Sequence, residues 1–222
     1  KLELNNELSH QIIDFSEKEY MGKIVIVSPK DTLEEVPLVE DLPVIAVEAS
    51  IVKRIELSPN HERITLIGNR RIKVQKYYNC PNIKEALQCD YYIPQLPKLN
   101  ETDEISRKRE LLKLLKQYVK TSPMIDNSIL QEIQEHMSLD EITDRLAFFL
   151  PMHLEKKMSY VEEINSLKRA DNLIEDFIVE LQILKLDQKI NVAVQKELET
   201  SQKEFVLRER IKELQKELGE SG

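Results

Sequence analysis

The spacing of apolar and polar residues divides the chain near residue 100. Before it, apolar residues come in short, β-branched runs separated by turn residues and by most of the nine prolines. Such runs are typical of strands, whereas Leu8, Ile12 and Phe15 recur at helical spacing and predict a helix over residues 5–19. The predicted strands cover residues 24–27, 44–52, 55–57, 63–67, 71–74 and 87–93.

Two tight turns are predicted between these strands. Ser58-Pro59-Asn60-His61 lies between two alternating runs and predicts a hairpin. Gly68-Asn69 supplies residues that tolerate positive φ, and it predicts a second turn into the strand at 71–74. The first part of the chain is therefore expected to form a small, mostly antiparallel β unit.

After Pro97 the apolar period changes to that of a helix. The pattern predicts one helix ending at Thr121-Ser122-Pro123, and a short helix over 128–137. Ser138 and Ser159 are each followed three residues later by Glu, which is the capping-box pattern of a helix start. Pro151 ends the helix that begins at Ser138.

The last predicted element is unusually long. Residues 166–218 contain neither Pro nor Gly, and their apolar residues recur every three or four positions, so a continuous helix would measure roughly 80 Å. Its second half carries sparse apolar residues among many charges, which predicts a coiled-coil-like arm that needs a partner helix. The pattern leaves open whether a kink occurs at 187–191. The candidate contacts of this arm are Phe205, Val206, Leu207, Ile211 and Leu214.

These patterns predict an α+β chain in three parts. Residues 1–98 form the β lobe with one helix, residues 99–185 form a helical bundle, and residues 186–222 continue the long helix.

Composition and charge exclude several classes of protein. The formal net charge of -8 argues against broad affinity for nucleic acid. The longest apolar runs, such as 24–27 and 146–150, fall far short of the roughly 20 residues of a membrane span. Cys80 and Cys89 lack the spacing of a metal or redox motif, so we expect reduced thiols in a cytoplasmic protein without membrane contact. The opening residues show no signal peptide.

The residues that carry chemistry are too isolated to predict a catalytic site. Only four glycines are present, and they form neither a P-loop, nor a dinucleotide-binding motif, nor a G-x-S-x-G elbow. No histidine has a second histidine three or four residues away, so no metal site is expected. We therefore expect no catalytic residue, no cofactor and no metal in this chain. The histidines are His10, His61, His136 and His153.

Two segments are candidate binding surfaces. Leu38, Val39, Leu42 and Pro43 form an apolar, proline-bracketed stretch, which either packs as the edge of the β unit or contacts unfolded protein. The segment at 70–78 interleaves basic and aromatic residues, as in some RNA-binding strands. We favour an ordinary strand there, with Ile72 and Val74 facing the core. The residues of the RNA-binding alternative are Arg70, Arg71, Lys73, Lys76, Tyr77 and Tyr78.

Three stretches carry a resemblance to a known family. The sequence SQKEFVLRERIKELQKELGE at 201–220 closely resembles the segment that ends the amino-terminal region of bacterial Lon proteases. LPMHL at 150–154, with Lys157, is similar to a helix break of the family. ITLIGNRRI at 64–72 resembles its strand, glycine turn, arginine and strand signature.

The resemblance implies a PUA-like β lobe, then a helical bundle and a long helix that leads to an ATPase module. It also implies a parent protein that is a cytoplasmic, ATP-dependent serine endopeptidase, a homohexamer that uses ATP and Mg²⁺ and a Ser-Lys dyad. The dyad and the P-loop would lie beyond Gly222, so no catalytic residue is carried over. An apolar strand that usually opens the family's domain is missing before Lys1, so an exposed sheet edge is expected.

The resulting hypothesis is a substrate-recognition and assembly-supporting region. The β lobe would contact misfolded or regulatory protein clients, and the long helix would pair with its counterpart in a neighbouring subunit. The alternatives are a free-standing RNA-binding or adaptor protein with a PUA-like lobe, and a purely structural coiled-coil scaffold.

Overall fold

The structure is a computed structural model that describes residues 1–29, 38–96, 99–122, 127–134, 136–217 and 219. Its strands form one antiparallel sheet in the order β1-β4-β3-β2, and β5 also pairs with β4. The sheet comes first in the chain and the helical part follows, as predicted. The elements of this first part are β1 (Leu2–Leu4), α1 (Glu7–Tyr20), β2 (Lys23–Ile26), a 3₁₀ turn (Val39–Asp41), β3 (Ile45–Ser58), β4 (His61–Asn79) and β5 (Leu87–Tyr92).

The predicted hairpin is confirmed, but the second turn is wrong. Ser58 pairs with His61, and Asn60 between them has a φ of 61°. Gly68, in contrast, lies inside the 19-residue strand β4, where the register with β3 shifts between Glu48 and Ala49. A Cβ at Gly68 would lie 3.3 Å from Val47 Cγ1, so the glycine permits a close approach of two strands at a bulge. The four short runs predicted at 44–74 are therefore two long, bulged strands.

Helix α1 packs on one face of this sheet and forms the centre of the β lobe, by which we mean residues 1–96. Its residue Ile13 is buried against Leu4 and Ile64. The helix begins at the N-cap Asn6, whose side chain accepts from the Ser9 amide. The other side of α1, with Leu8, Ile12 and Phe15, packs on Cys80, Ile83 and Ala86.

The helical lobe consists of four helices and the beginning of a fifth, and it contains the largest apolar cluster of the described residues. Phe177 is fully buried there and stacks edge-to-face on Tyr118, with 5.7 Å between ring centroids. The helices are α2 (Glu101–Thr121), α3 (Ile129–Glu132), α4 (Leu139–Phe149), α5 (Leu154–Glu162) and α6 (Ser166–Glu217).

Helix starts and ends agree with the sequence in part. Ser138 forms the predicted capping box with Glu141. Ser159 does not, because α5 already begins at Leu154, and the Ser159 hydroxyl donates to the Lys156 carbonyl inside that helix. The short helix predicted at 128–137 is only four residues long. Two predicted boundaries, at Pro123 and Leu218, lie outside the described residues.

Helix α6 is continuous for 52 residues, including the stretch at 187–191. At 1.5 Å per residue it is about 78 Å long. Its residues up to Leu184 contribute to the core of the helical lobe. Every residue from 185 to 217 is exposed, and we call this part the arm. Within the described part of the chain, no helix combines the length and the apolar character needed to span a bilayer.

Candidate functional site

The predicted binding segment at 38–43 presents two of its four residues to solvent. Leu38 and Val39 are 54% and 45% exposed, whereas Leu42 is buried at 7% and Pro43 is also buried. The 3₁₀ turn causes this division, since the amide of Leu42 donates to the Val39 carbonyl at 3.3 Å. Leu38 and Val39 thus form an exposed apolar pair, and the buried Leu42 and Pro43 fix the turn to the lobe.

The anchor of this pair is a hydrogen bond to the core. The Tyr77 hydroxyl donates to the Pro43 carbonyl at 2.6 Å. Burial raises the pKa of Tyr77 to about 12, so the hydroxyl remains a donor at neutral pH. One residue further on, the Val74 amide donates to the Val44 carbonyl at 2.8 Å. The segment that follows the exposed pair is therefore joined to β4 by two hydrogen bonds.

A second apolar surface lies on the outer face of the β3–β4 hairpin. Ile55, Leu57 and Ile67 are 38%, 43% and 54% exposed. Ile55 pairs with Arg63, which shares a face of β4 with Ile67 because side chains alternate along a strand. The alternation of the sequence did not identify this surface, because the bulges in β3 change which residues face outward.

The basic and aromatic residues at 70–78 do not form a common surface. Arg70 Nε and Nη2 each lie 3.1 Å from the buried carboxylate of Glu48. Arg71 faces the helical lobe, and the Tyr78 hydroxyl donates to Asp90 at 3.3 Å. Lys73 and Lys76 are exposed, whereas Ile72 and Val74 are buried in the core as expected of an ordinary strand. These contacts give no support to an RNA-binding face.

Glu48 is a buried acidic residue at the centre of the β lobe. Its side chain is 3% exposed and accepts from the Tyr91 hydroxyl at 2.7 Å as well as from Arg70. These hydrogen bonds lower the pKa of Glu48, and the bond from Tyr91 has the largest effect. The bond to Glu48 in turn raises the pKa of Tyr91 to about 12. The carboxylate is therefore ionised and holds β3, β4 and β5 together.

Arg71 joins the β lobe to the helical lobe. Its guanidinium donates to both carboxylate oxygens of Asp144, at 2.9 and 2.5 Å. It also donates to the carbonyls of Val161 and Tyr160, at 2.9 and 3.1 Å. Because these four bonds reach α4 and the end of α5, one side chain of β4 sets the position of two helices.

The same junction continues into α6 through Arg169, which is completely buried. Arg169 donates to Asp140, to the Thr143 hydroxyl, and to the carbonyls of Glu163 and Ile164. Its Nε also lies 3.6 Å from Asp144, so Asp144 connects the two arginines. Sequence analysis missed this junction. The available signal was the position of Arg169 on the apolar face of α6, next to Ala170 and one turn before Leu173.

The arm is the longest run of exposed residues in the described part of the chain. Phe205, Val206 and Leu207 are 65%, 61% and 60% exposed, and Ile211 and Leu214 are 54% and 51% exposed. Oppositely charged residues four positions apart, such as Glu204 and Arg208, pair along the polar side of the arm and support the helix. The predicted contact residues are therefore available to a partner.

Metal-binding chemistry is not found in the described ranges, where no group of three or more His, Cys, Asp or Glu side chains could hold an ion. His10 Nε2 lies 3.2 Å from the Asn60 carbonyl, and His61 Nε2 lies 3.2 Å from Glu3. These two histidines serve structural contacts within the β lobe.

Comparison with known families gives one match that covers most of the chain. Residues 1–176 match the model of the ATP-dependent protease La (LON) substrate-binding domain. The matched residues contain the whole β lobe, helices α2 to α5 and the junction at Arg71 and Arg169. The family model thus covers both lobes and ends within α6.

Curated relatives agree with this match. The chain is 29% identical over 203 residues to the Lon protease of Buchnera aphidicola subsp. Baizongia pistaciae, covering 89% of this chain and 25% of the relative. It is 29% identical over 221 residues to that of Mycoplasma mobile, covering 99% and 26%. The Lon protease of Escherichia coli K12 is 25% identical over 198 residues, covering 89% and 25%. The chain therefore spans about a quarter of the length of these relatives.

Solved structures agree in fold. The N-terminal domain of a Lon protease from the Mycobacterium avium complex has a TM-score of 0.60 at 16% identity, covering 79% of this chain and 88% of the other. A Lon N-terminal domain protein from Xanthomonas campestris has a TM-score of 0.51 at 15% identity, covering 78% and 86%. At these identities the likeness establishes the arrangement of a β lobe followed by helices.

Proposed function

From the premise that this chain belongs to the family of substrate-binding domains of ATP-dependent protease La (LON), we propose that Leu38 and Val39 contact unfolded protein substrates. The observation that carries the proposal is their exposure on a turn that Leu42, Pro43 and Tyr77 fix to the core. Burying apolar surface stabilises a complex by about 25 cal/mol per Å². Because the pair is already held in place, little conformational entropy is lost on contact.

The substrates proposed for this surface are misfolded or regulatory proteins. A native protein buries most of its large apolar side chains, whereas an unfolded chain exposes them. A small, exposed apolar pair selects for such stretches without requiring a defined sequence. The outer surface of Ile55, Leu57 and Ile67 offers a second apolar contact on the same lobe.

For the parent protein we propose an ATP-dependent serine endopeptidase of the bacterial cytoplasm that assembles as a homohexamer. The chain contains no P-loop and spans about a quarter of the length of its relatives, so we assign the nucleotide, Mg²⁺ and the Ser-Lys dyad to other parts of that protein. The present chain supplies substrate contact and support for assembly. Its arm, with Phe205 and Leu214 exposed, pairs with the arm of a neighbouring subunit as in a coiled coil.

Photo-cross-linking tests the substrate contact directly. A photoreactive amino acid replaces Leu38, and the chain is irradiated with a model protein in either its unfolded or its native form. The matched control places the same group at Met21, which is 86% exposed and apolar but lies on the turn after α1. We expect labelling of the unfolded form from position 38, and little from position 21.

A pair of substitutions gives the second readout. Leu38→Asp with Val39→Asp should reduce capture of the unfolded protein at least fivefold, while Met21→Asp should leave it within twofold. Equal labelling of native and unfolded protein, or capture that the double substitution leaves unchanged, would contradict the proposal. Salt-dependent retention of RNA by Arg70 and Arg71 would instead favour the alternative.

A further inference from the structure

Four cations follow one another along the solvent face of α2 over three turns. Arg109, Lys113, Lys116 and Lys120 are spaced four, three and four residues apart, so they lie along one face of the helix. With Gln117 and Leu112 they line a shallow groove of about 320 Å³. The opposite face of α2 is buried in the helical lobe. This basic face is thus separate from the surfaces described above.

Three of the four cations lack a carboxylate partner. Lys113 lies 3.2 Å from Glu110, but within the described ranges Arg109, Lys116 and Lys120 form no ion pair. Two other cations of the same helix do form ion pairs. Arg107 pairs with Asp171 at 3.0 Å, and Lys108 pairs with Glu104 at 2.7 Å. Among the cations of α2, those without an ion pair to a described residue therefore all line the groove.

This arrangement opposes the stability of the isolated helix. Arg109 and Lys113, like Lys116 and Lys120, are like charges at positions i and i+4, which destabilise a helix. The chain as a whole has eight more acidic than basic residues, so its composition does not explain a row of four cations of which only Lys113 has a carboxylate partner. A carboxylate-bearing partner on the groove would remove the repulsion, because it would supply the missing opposite charges.

We propose that the basic face of α2 binds acidic segments of protein substrates, with carboxylates that recur every three or four residues. The inference rests on the proposed function and adds a second, electrostatic contact to it. Four cations span about 17 Å, which matches three turns of an acidic helix laid along α2. The aliphatic stems of the lysines and Leu112 form the apolar floor of the groove.

Charge and size favour a protein segment over a nucleic acid. A long polyanion has about one charge per 1.7 Å of duplex and extends well beyond a face of four cations. It would then meet the acidic remainder of a chain whose net charge is -8. A short acidic helix meets only the groove.

Fluorescence anisotropy tests the inference on the complete 222-residue chain. The probe is a labelled 14-residue peptide with Glu at every third and fourth position, and its matched control has Gln at those positions. We expect binding of the Glu peptide alone, and at least a tenfold loss of affinity between 50 and 300 mM salt. Lys113→Glu with Lys116→Glu should weaken binding at least tenfold.

The control for net charge is Lys18→Glu with Lys84→Glu. It changes the total charge by the same amount at two exposed lysines, on α1 and on the loop before β5, and it should alter affinity less than twofold. Equal loss in both double variants, no binding of the Glu peptide, or tighter binding of a 14-nucleotide single-stranded DNA would overturn the inference.

Capture of an apolar unfolded protein without acidic segments separates this inference from the proposed function. The Lys113→Glu and Lys116→Glu chain should capture it normally, since Leu38 and Val39 are unchanged. Normal capture by the unsubstituted chain, together with no binding of the Glu peptide by that same chain, overturns the electrostatic contact alone. The Leu38→Asp and Val39→Asp chain should lose capture of the unfolded protein but still bind the Glu peptide. That result assigns the two contacts to separate surfaces.

Discussion

Glu48 shows how a single buried charge is accommodated in the β lobe. Ionised carboxylates are costly to bury unless they are paired and hydrogen-bonded. Here the Tyr91 hydroxyl and the Arg70 guanidinium supply those bonds, at 2.7 and 3.1 Å. The three side chains come from the three neighbouring strands β3, β4 and β5, so the carboxylate connects these strands.

The acid dependence of stability should report this site. The pKa of Glu48 in the folded chain lies below its usual value of 4.5, so its stabilisation is present above about pH 4.5 and is lost as the pH falls through the folded-state pKa. Glu48→Gln should lower the free energy of unfolding at pH 7 by about 1 to 3 kcal/mol. The difference from wild type should shrink below pH 4.

Urea unfolding between pH 3 and 7 measures this difference. Glu85→Gln is the control, because Glu85 is an exposed carboxylate on the loop before β5. A gap between wild type and Glu48→Gln that stays constant across this range would show that ionisation of Glu48 does not stabilise the fold.

Individual residues were predictable from the sequence where burial follows a local period. Ile12 and Phe15 were placed correctly on a helix that packs on the β lobe. Leu42 and Pro43 were grouped with Leu38 and Val39, although the structure buries them. Their burial depends on Tyr77, which is 34 residues away from Pro43, and no local pattern contains that contact.

At the scale of elements, two identical patterns had different outcomes. Ser138 and Ser159 both precede Glu by three residues, yet only Ser138 caps a helix. Pro151 explains the difference, since it interrupts the chain early enough for α5 to begin at Leu154. Ser159 is then within a helix, where the capping geometry is unavailable.

Removal of each hydroxyl should reveal this difference. Ser138→Ala should reduce the free energy of unfolding by about 1 kcal/mol, because the Glu141 amide at the start of α4 loses the Ser138 hydroxyl as its acceptor. Ser159→Ala serves as the matched control and should cost less than half as much. Chemical denaturation of both variants measures the difference, and equal losses would place a cap at Ser159 as well.

The strands show the same limit of local patterns. The hairpin at Ser58–His61 was predicted from its turn residues. The bulges at Glu48–Ala49 and Ile51–Lys53 were not, because a bulge depends on how two strands meet. Gly68 was therefore interpreted as a turn, although it lies where β3 and β4 approach closely.

The arm predicts self-association that depends on its apolar side chains. Phe205→Glu with Leu214→Glu should convert an associated chain into a monomer, since charges then replace the buried surface of the pair. Gln202→Glu with Gln215→Glu adds the same charge to the same exposed element and should leave association unchanged. Sedimentation velocity measures both. An unchanged profile for the first variant would exclude these residues from the contact.

At the scale of the whole molecule, the sequence predicted two lobes but not how they are joined. Arg71 and Asp144 are 73 positions apart, and a contact at such a separation leaves no trace in the period of either segment. The order of elements, in contrast, follows from local spacing alone. The family resemblance agreed with both lobes, and the family model covers the junction itself.

The junction should make the two lobes unfold together. Arg71→Met removes four hydrogen bonds that join β4 to α4 and α5, and it should lower stability by about 2 kcal/mol or more. We expect calorimetry to resolve two transitions where the wild type has one. Lys73→Met, two residues along the same strand but exposed, is the control. Identical melting of both variants would contradict a coupling role for Arg71.

Because so much of α6 is exposed, a small rotation at the junction moves the far end of the arm over a long distance. The arm has 33 exposed residues, from 185 to 217, and therefore extends about 50 Å beyond the helical lobe. A tilt of about 10° at the base of such a rod sweeps its far end through about 9 Å, which is close to the width of a helix. Arg169 bonds the first turn of α6 to α4, and Arg71 bonds the β lobe to the same helix. A rotation of the β lobe that tilts α6 would thus produce its largest displacement at the far end of the arm.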